Sequence, residues 1–412
     1  MNKASPTAEE ALADAHRHEW GPVLAATVRV TRDLDVAEEC VQDAYAQALP
    51  TWREEGVPTR PGAWLTTAAR RRALDRLRRA EVASRALPLL VTDEAVDAAP
   101  DAPADSDPLA LVFTCCHPAL AEPARVALTL RLLGGLTTFQ IAKAFLVPEA
   151  TMAARITRAK KKIAAARVPY RVPGAAELPE RLDAVLTVVH LILTTGHTAP
   201  DGDDLVRPDL VGRALDLARL LRVRFPDEPA VAGLLALALL TDARRDTRVG
   251  ADGALTLLAD QDRFRWDVGQ IAEGTLLARE AMARSHPATV SRYALLGAIA
   301  AVHGEASSSA ATDWTEIVGL YDVLLARWPN PVVALNRAVA VGFAEGPAAG
   351  LAALEPLAAE PRLASYHYLA AARAEFLRRT GRDDEAALAA SEALLLASNA
   401  TERAFLAARG EE

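Results

Sequence analysis

Apolar residues return every three or four positions through most of the chain, which predicts helices with one buried face rather than strands. Between Glu149 and Ile163 the residues Met152, Ile156, Ala159 and Ile163 line up as one buried stripe, while Thr151, Arg155, Arg158 and Lys162 form a separate polar stripe. Just before it, Ile141, Ala142 and Phe145 share a face of a short helix starting near Thr138, whose hydroxyl is placed to cap the first turn. Pro148 disfavours helix at Val147 and suits the first turn of the next helix, so a tight turn joins the two. Such a pair either places its second helix in a DNA major groove or is an ordinary hairpin with a solvated basic face.

Two earlier helices have the same kind of order. Asp35 to Leu49 puts Ala37, Val41, Ala44 and Ala48 on one stripe and turns Glu38, Glu39, Gln42 and Asp43 outward, either to solvent or to a partner's basic surface. Ala63 to Arg79 places Ala69, Ala73, Leu74 and Leu77 inward and Arg72, Arg76 and Arg79 outside, with Trp64 at its start and six arginines between Arg70 and Arg79. Guanidinium forks suit phosphate oxygens, and an aromatic ring beside them offers an unpaired base a stacking surface. Past Val172 the pattern continues as helix pairs: Trp314 to Trp328, Val332 to Phe343, Pro347 to Leu357, Ser365 to Thr380 and Asp383 to Ser398. Gly346 and Gly381 stand at a repeat spacing.

The expected fold is therefore all-α, in four parts: a helical unit over 8–86, a flexible acidic linker over 87–108 rich in Ala, Asp and Pro, a second small helical unit over 109–170, and a helical-repeat region over 171–412. With that linker the two small units are expected to move independently. Net charge is −8, but residues 1–172 carry about +2 and the remainder about −10, which makes the first part the candidate for nucleic acid. No apolar run spans a bilayer and Met1-Asn-Lys-Ala-Ser-Pro6 is no signal peptide, so a cytoplasmic protein with no membrane partner is expected. Cys40, Cys115 and Cys116 make neither a disulfide framework nor a paired metal pattern.

No P-loop, dinucleotide glycine pattern, HExxH or nucleophile elbow is present, so no catalysis, cofactor or metal is expected. Cys115-Cys-His117 reads as helix packing rather than zinc, and His16, His18, His190 and His197 as structural. Asp201-Gly-Asp-Asp204 reads as a turn, and Asp260, Asp262 and Asp267 as partners of Arg263 and Arg265 or solvated.

Asp35-Val-Ala-Glu-Glu-Cys-Val-Gln-Asp-Ala-Tyr45, then Ala63-Trp-Leu65 with Ala69-Arg-Arg-Arg-Ala-Leu-Asp75, then the helix-turn-helix ending Arg155-Ile-Thr-Arg-Ala-Lys160, resemble bacterial RNA polymerase sigma factors of the extracytoplasmic-function type. The resemblance implies that 8–86 is sigma region 2, contacting core polymerase through Glu38, Glu39, Gln42 and Asp43 and the minus-10 element through Trp64, Arg70, Arg71, Arg72, Arg76 and Arg79. It implies that 109–170 is sigma region 4, reading the minus-35 element through Thr151, Arg155, Arg158 and Lys162. Arg71 stands where many members have asparagine. Gly381-Arg-Asp-Asp-Glu-Ala-Ala-Leu388 with Glu392-Ala-Leu394 resembles a tetratricopeptide repeat. The implied function is an alternative sigma factor that brings core RNA polymerase, through its clamp and flap regions, to promoter DNA, governed by a fused domain that offers a surface to a signalling protein or ligand. The competing reading is a helix-turn-helix regulator or repeat scaffold that binds DNA without joining polymerase.

Overall fold

Helix starts are set by side chains that satisfy the free amides of the first turn. Thr7 opens helix α1 (Ala8–Thr31) as a capping box with Glu10, Thr7 Oγ1 accepting from the Glu10 N–H at 3.2 Å and Glu10 Oε2 from the Thr7 N–H at 2.9 Å. Asp33 caps α2 (Leu34–Glu55) by accepting from the N–H groups of Asp35 and Val36. Helix α3 (Pro61–Arg85) completes a three-helix unit. The computed structural model describes residues 7–85, 107–145, 147–199, 202–250 and 253–410, so the linker expected over 87–108 falls almost wholly outside the described residues, as do Leu146 and Asp201.

The described residues form two compact units, Met1–Val188 and Val189–Glu412. In the first, α4 (Asp107–Cys115), α5 (Glu122–Leu132), α6 (Thr138–Ala144) and α7 (Glu149–Ala165) pack among themselves, and α4 also packs on α1. The two modules therefore pack on one another within this unit. Backbone meets backbone where they dock: a Cβ added at Gly21 of α1 would stand 2.9 Å from the Leu133 carbonyl oxygen. Tyr170 Oη donates to the Ala25 carbonyl at 2.9 Å and ties the segment after α7 to the same helix. The first unit ends inside α8 (Leu178–His197), where Arg181 is buried and its guanidinium donates to the Phe113 carbonyl of α4 at 2.6 Å.

In the second unit, α10 (Pro229–Asp242) is apolar all round and is accordingly covered on several sides, by α9 (Pro208–Arg224), α11 (Val268–Arg284) and α12 (Arg292–Glu305). Then come the helices foreseen as pairs: α13 (Trp314–Arg327), α14 (Pro331–Ala344), α15 (Pro347–Leu354), α16 (His367–Arg379) and α17 (Asp383–Leu396), each packed on the one before. Gly346 and Gly381 have φ of 104° and 74°, a left-handed backbone that side chains strain to adopt, and each turns the chain within a helix pair. That shared role explains their spacing. Finally α18 (Ala400–Gly410) returns to the first loop of this unit, where fully buried Asn399 donates through Nδ2 to the carbonyls of Ala199 at 3.2 Å and Asp204 at 3.0 Å.

Candidate nucleic-acid interface

Helix α6 is capped one residue earlier than its pattern suggested, by Thr137, in a capping box with Gln140. Pro148 occupies the N-cap of α7, and Met152, Ile156, Ala159 and Ile163 are buried as their spacing requires. The opposite stripe is open: Thr151, Arg158 and Lys162 are exposed and Arg155 is half-buried. Among the described residues none of these three cations has a carboxylate or hydrogen-bond partner, so their charges remain available.

Lys160 behaves differently because it lies on the opposite shoulder of the buried stripe at 3.6 residues per turn. It turns away from the open face and hydrogen-bonds Asp35 Oδ1 and Glu38 Oε2 of α2, each at 2.7 Å. Arg131 of α5 pairs with the other oxygen of Glu38. Burial works against the Lys160 charge, but the hydrogen bonds to Asp35 and Glu38 outweigh it and raise its pKa. Glu38, expected outward with the rest of the acidic face, is instead 5% exposed and closed inside this ionic contact between the modules. Glu39, Gln42 and Asp43 are exposed as expected.

The arginine row of α3 also departs from expectation. Arg76 pairs with Glu39 and, at 3.4 Å, with Asp43, and Arg72 donates to Gln47 at 2.6 Å, so the acidic face and part of the basic row neutralise one another across the α2/α3 seam. The hydrogen bond to Glu39 raises the Arg76 pKa. Arg71 and Arg79 are exposed, Arg70 is half-buried, and half-buried Trp64 packs edge-on against Trp52 with ring centroids 5.7 Å apart. Leu74 and Leu77, expected inward, are 45% and 39% exposed, because Leu65, Ala69 and Ala73 suffice to cover the seam. Cys40, Cys115 and Cys116 are buried thiols, Cys116 with its pKa pushed up to about 11 by desolvation, and among the described residues no group of three His, Cys, Asp or Glu is placed to hold a metal ion.

Three family models match the chain: Sigma-70 region 2 over residues 17–82, Sigma-70 region 4 over residues 110–163, and a family of unknown function (DUF6596) over residues 181–282. The ECF RNA polymerase sigma factor SigK of Mycobacterium tuberculosis (strain ATCC 25618 / H37Rv) is 30% identical over 165 residues, 38% of this chain and 84% of SigK. The chain belongs to the ECF RNA polymerase sigma factors. Its likeness to an uncharacterized protein of Rhizobium meliloti (strain 1021) runs further, 42% over 391 residues, covering 93% of this sigma factor and 91% of the relative. No solved structure matches it.

This sigma factor directs transcription initiation as an alternative sigma factor, and α6 and α7 lie within its region 4. Sequence reasoning missed Arg131, Lys160 and Asp35 as the ties between regions 2 and 4. The offset of Lys160 from the stripe of Thr151, Arg155, Arg158 and Lys162 is the one local sign that it faces elsewhere.

Proposed function

We propose that α7 reads the minus-35 element through Thr151, Arg155, Arg158 and Lys162, and that the exposed part of the α2 face, Glu39, Gln42 and Asp43, meets the polymerase clamp. The observation that carries this reading is the contrast on α7, where Arg155, Arg158 and Lys162 have no acidic partner while Lys160 is fully engaged. Uncompensated cations beside an exposed hydroxyl suit phosphate oxygens and guanine edges. Trp64, Arg70, Arg71, Arg72, Arg76 and Arg79 serve the minus-10 element, with Arg72 and Arg76 first exchanging Gln47, Glu39 and Asp43 for DNA. Glu38 acts in the tie between regions 2 and 4 rather than as a polymerase contact, so promoter engagement involves breaking that tie. The contact with polymerase places the protein in the cytoplasm, and initiation needs no catalytic residue of its own.

The boundaries we assign are 8–86 for region 2 and 109–170 for region 4, with the fused region after 171 acting as a tetratricopeptide-like repeat domain that organises the two and offers a surface to a signalling partner. Fusion gives that domain a high effective concentration at the sigma regions, so a weak contact suffices. The test is a Glu39→Lys, Asp43→Lys double variant assayed for co-purification with core polymerase. Charge reversal turns attraction to a basic docking surface into repulsion, and loss of co-purification with an unchanged fold is expected. Undiminished co-purification would show that the face is only solvated.

A further inference from the structure

The second compact unit holds an internal group of cations that promoter reading does not use. We infer that Arg244, Arg248 and Arg263 form a binding site for a small anion, a carboxylate- or phosphate-bearing molecule. The three lie within one stretch between α10 and α11, and Arg244 is near enough to both Arg248 and Arg263 for the charges to act on one another. Arg248 is held by the backbone of the loop after α8, donating to the His197 carbonyl and, at 3.1 Å, to Thr198 Oγ1. Arg263 donates through Nη1 to the carbonyls of His303 and Ala306, each at 2.7 Å, and its guanidinium lies over the Trp266 ring at 4.5 Å from the centroid. Trp266 is buried and fixed in turn by its Nε1, which donates to Thr247 Oγ1 at 3.0 Å.

These anchors orient the cations without neutralising them. Among the described residues Arg244 makes neither a hydrogen bond nor an ion pair through its side chain, and Arg263 Nη2 and His303 Nδ1 are buried with no partner. Of the nearby acids, Asp242 pairs with Arg245 at 3.2 Å, and Glu402, whose charge also favours that of Arg248, pairs with Tyr368 and, at 3.5 Å, with His367; among the described residues no acid pairs with Arg244 or Arg263. Buried charge without a partner is strongly disfavoured, and planar guanidinium groups match the oxygens of carboxylates and phosphates.

The electrostatics agree with the geometry. Burial and the neighbouring Arg263 charge push the Arg244 pKa down to about 10, and burial with Arg244 pushes that of Arg248 down to about 10, so both still carry their charge at neutral pH. His303 is pushed down to about 4 by burial and by Arg244 and Arg263, and is neutral there. All four residues are half-buried, which suits a small solute better than the broad surface of a folded partner. The occupant is therefore a small molecule whose anionic group replaces the missing counter-charge.

The test uses the full chain, with sodium phosphate or citrate titrated at pH 7.5 against sodium chloride of matched ionic strength, followed by calorimetry and thermal unfolding. We expect saturable binding of one anion per chain and a Tm that climbs with anion concentration. Arg244→Met is expected to bind about tenfold or more weakly, as befits a lost charged hydrogen-bond donor, and to unfold at a higher Tm than the wild type when no anion is added. Arg244→Lys, which keeps the charge and loses the fork, is expected to weaken binding without that gain, and it stands in if the Met variant does not fold. A response to citrate alone identifies a carboxylate ligand, to phosphate alone a phosphate ester. No saturable response to either, or wild-type affinity in both variants, overturns the assignment. None of these readouts depends on transcription.

Discussion

Replacing Glu38 by Gln keeps the shape of that side chain and deletes the charge that both Arg131 and Lys160 reach. The Glu38, Lys160 and Arg131 side chains are only 6%, 11% and 21% exposed, so water does little to screen the contact. Removing one member of a buried ion pair costs about 3 to 5 kcal/mol, because the remaining charge is left uncompensated. Lys160 retains Asp35 at 2.7 Å, which places the expected loss near the lower end, about 3 kcal/mol. That corresponds to an opening equilibrium between the two modules shifted about 100-fold. Amide hydrogen exchange resolves the effect: protection should fall by about that factor for amides exposed only when the modules separate, along α5 and α7, while the interior amides of α1 to α3 change little. Glu9→Gln, which disturbs only the exposed Arg53 pair, serves as control and should leave exchange nearly unchanged. Equal protection in Glu38→Gln and wild type would refute the reasoning that this cluster holds regions 2 and 4 together.

Arg155→Ala should weaken minus-35 recognition by about 1 to 3 kcal/mol if its guanidinium contacts guanine in two-point fashion, read as a changed promoter ranking in competition binding. Stability should also fall below neutral pH: burial, with the Arg292 charge for His190 and the Arg244 and Arg263 charges for His303, holds both imidazoles at pKa values of about 4. An unfolded histidine titrates near 6.5, so the unfolded chain binds more protons throughout that window; stability is complete above about pH 6.5 and declines as pH drops toward 4. Tm measured from pH 7.5 to 5 should show the decline, and a His303→Gln variant with the same slope as wild type would count against His303 as a source. Removing residues after Thr198, which keeps Arg181 on the Phe113 carbonyl, should lower promoter-dependent transcription if the fused unit organises the sigma regions; higher transcription would mean that it masks them.

Much of this was legible in the sequence because it depends on local period. The α7 stripe of Met152, Ile156, Ala159 and Ile163 and the stripe of Ala37, Val41, Ala44 and Ala48 on α2 are buried as 3.6-residue spacing demands. The helix pairs from Trp314 to Leu396 were visible for the same reason, with Gly346 and Gly381 marking turns that need a left-handed residue. What escaped was set by long-range contact. Nothing around Glu38 signals that cations from Arg131 and Lys160 will bury it, and an exposed carboxylate run is the ordinary outcome of such a pattern. Leu74 and Leu77 look like core residues on a helical wheel, yet α3 meets α1 and α2 through a narrow face of small residues that leaves them at the surface. Arg244, Arg248 and Arg263 lie in or beside two short 3-10 turns between α10 and α11, too short to carry a periodic signal.

The most direct measurement is reconstituted transcription: core RNA polymerase, this protein, and a pool of duplex fragments, with the start sites of all transcripts sequenced. Protein-dependent transcripts should begin downstream of a shared pair of elements at minus-10 and minus-35 spacing, and Arg155→Ala should alter the minus-35 member of the pair. No protein-dependent start at any template, with tight binding of duplex DNA by the protein alone, would contradict the assignment and favour a regulator that works without joining polymerase.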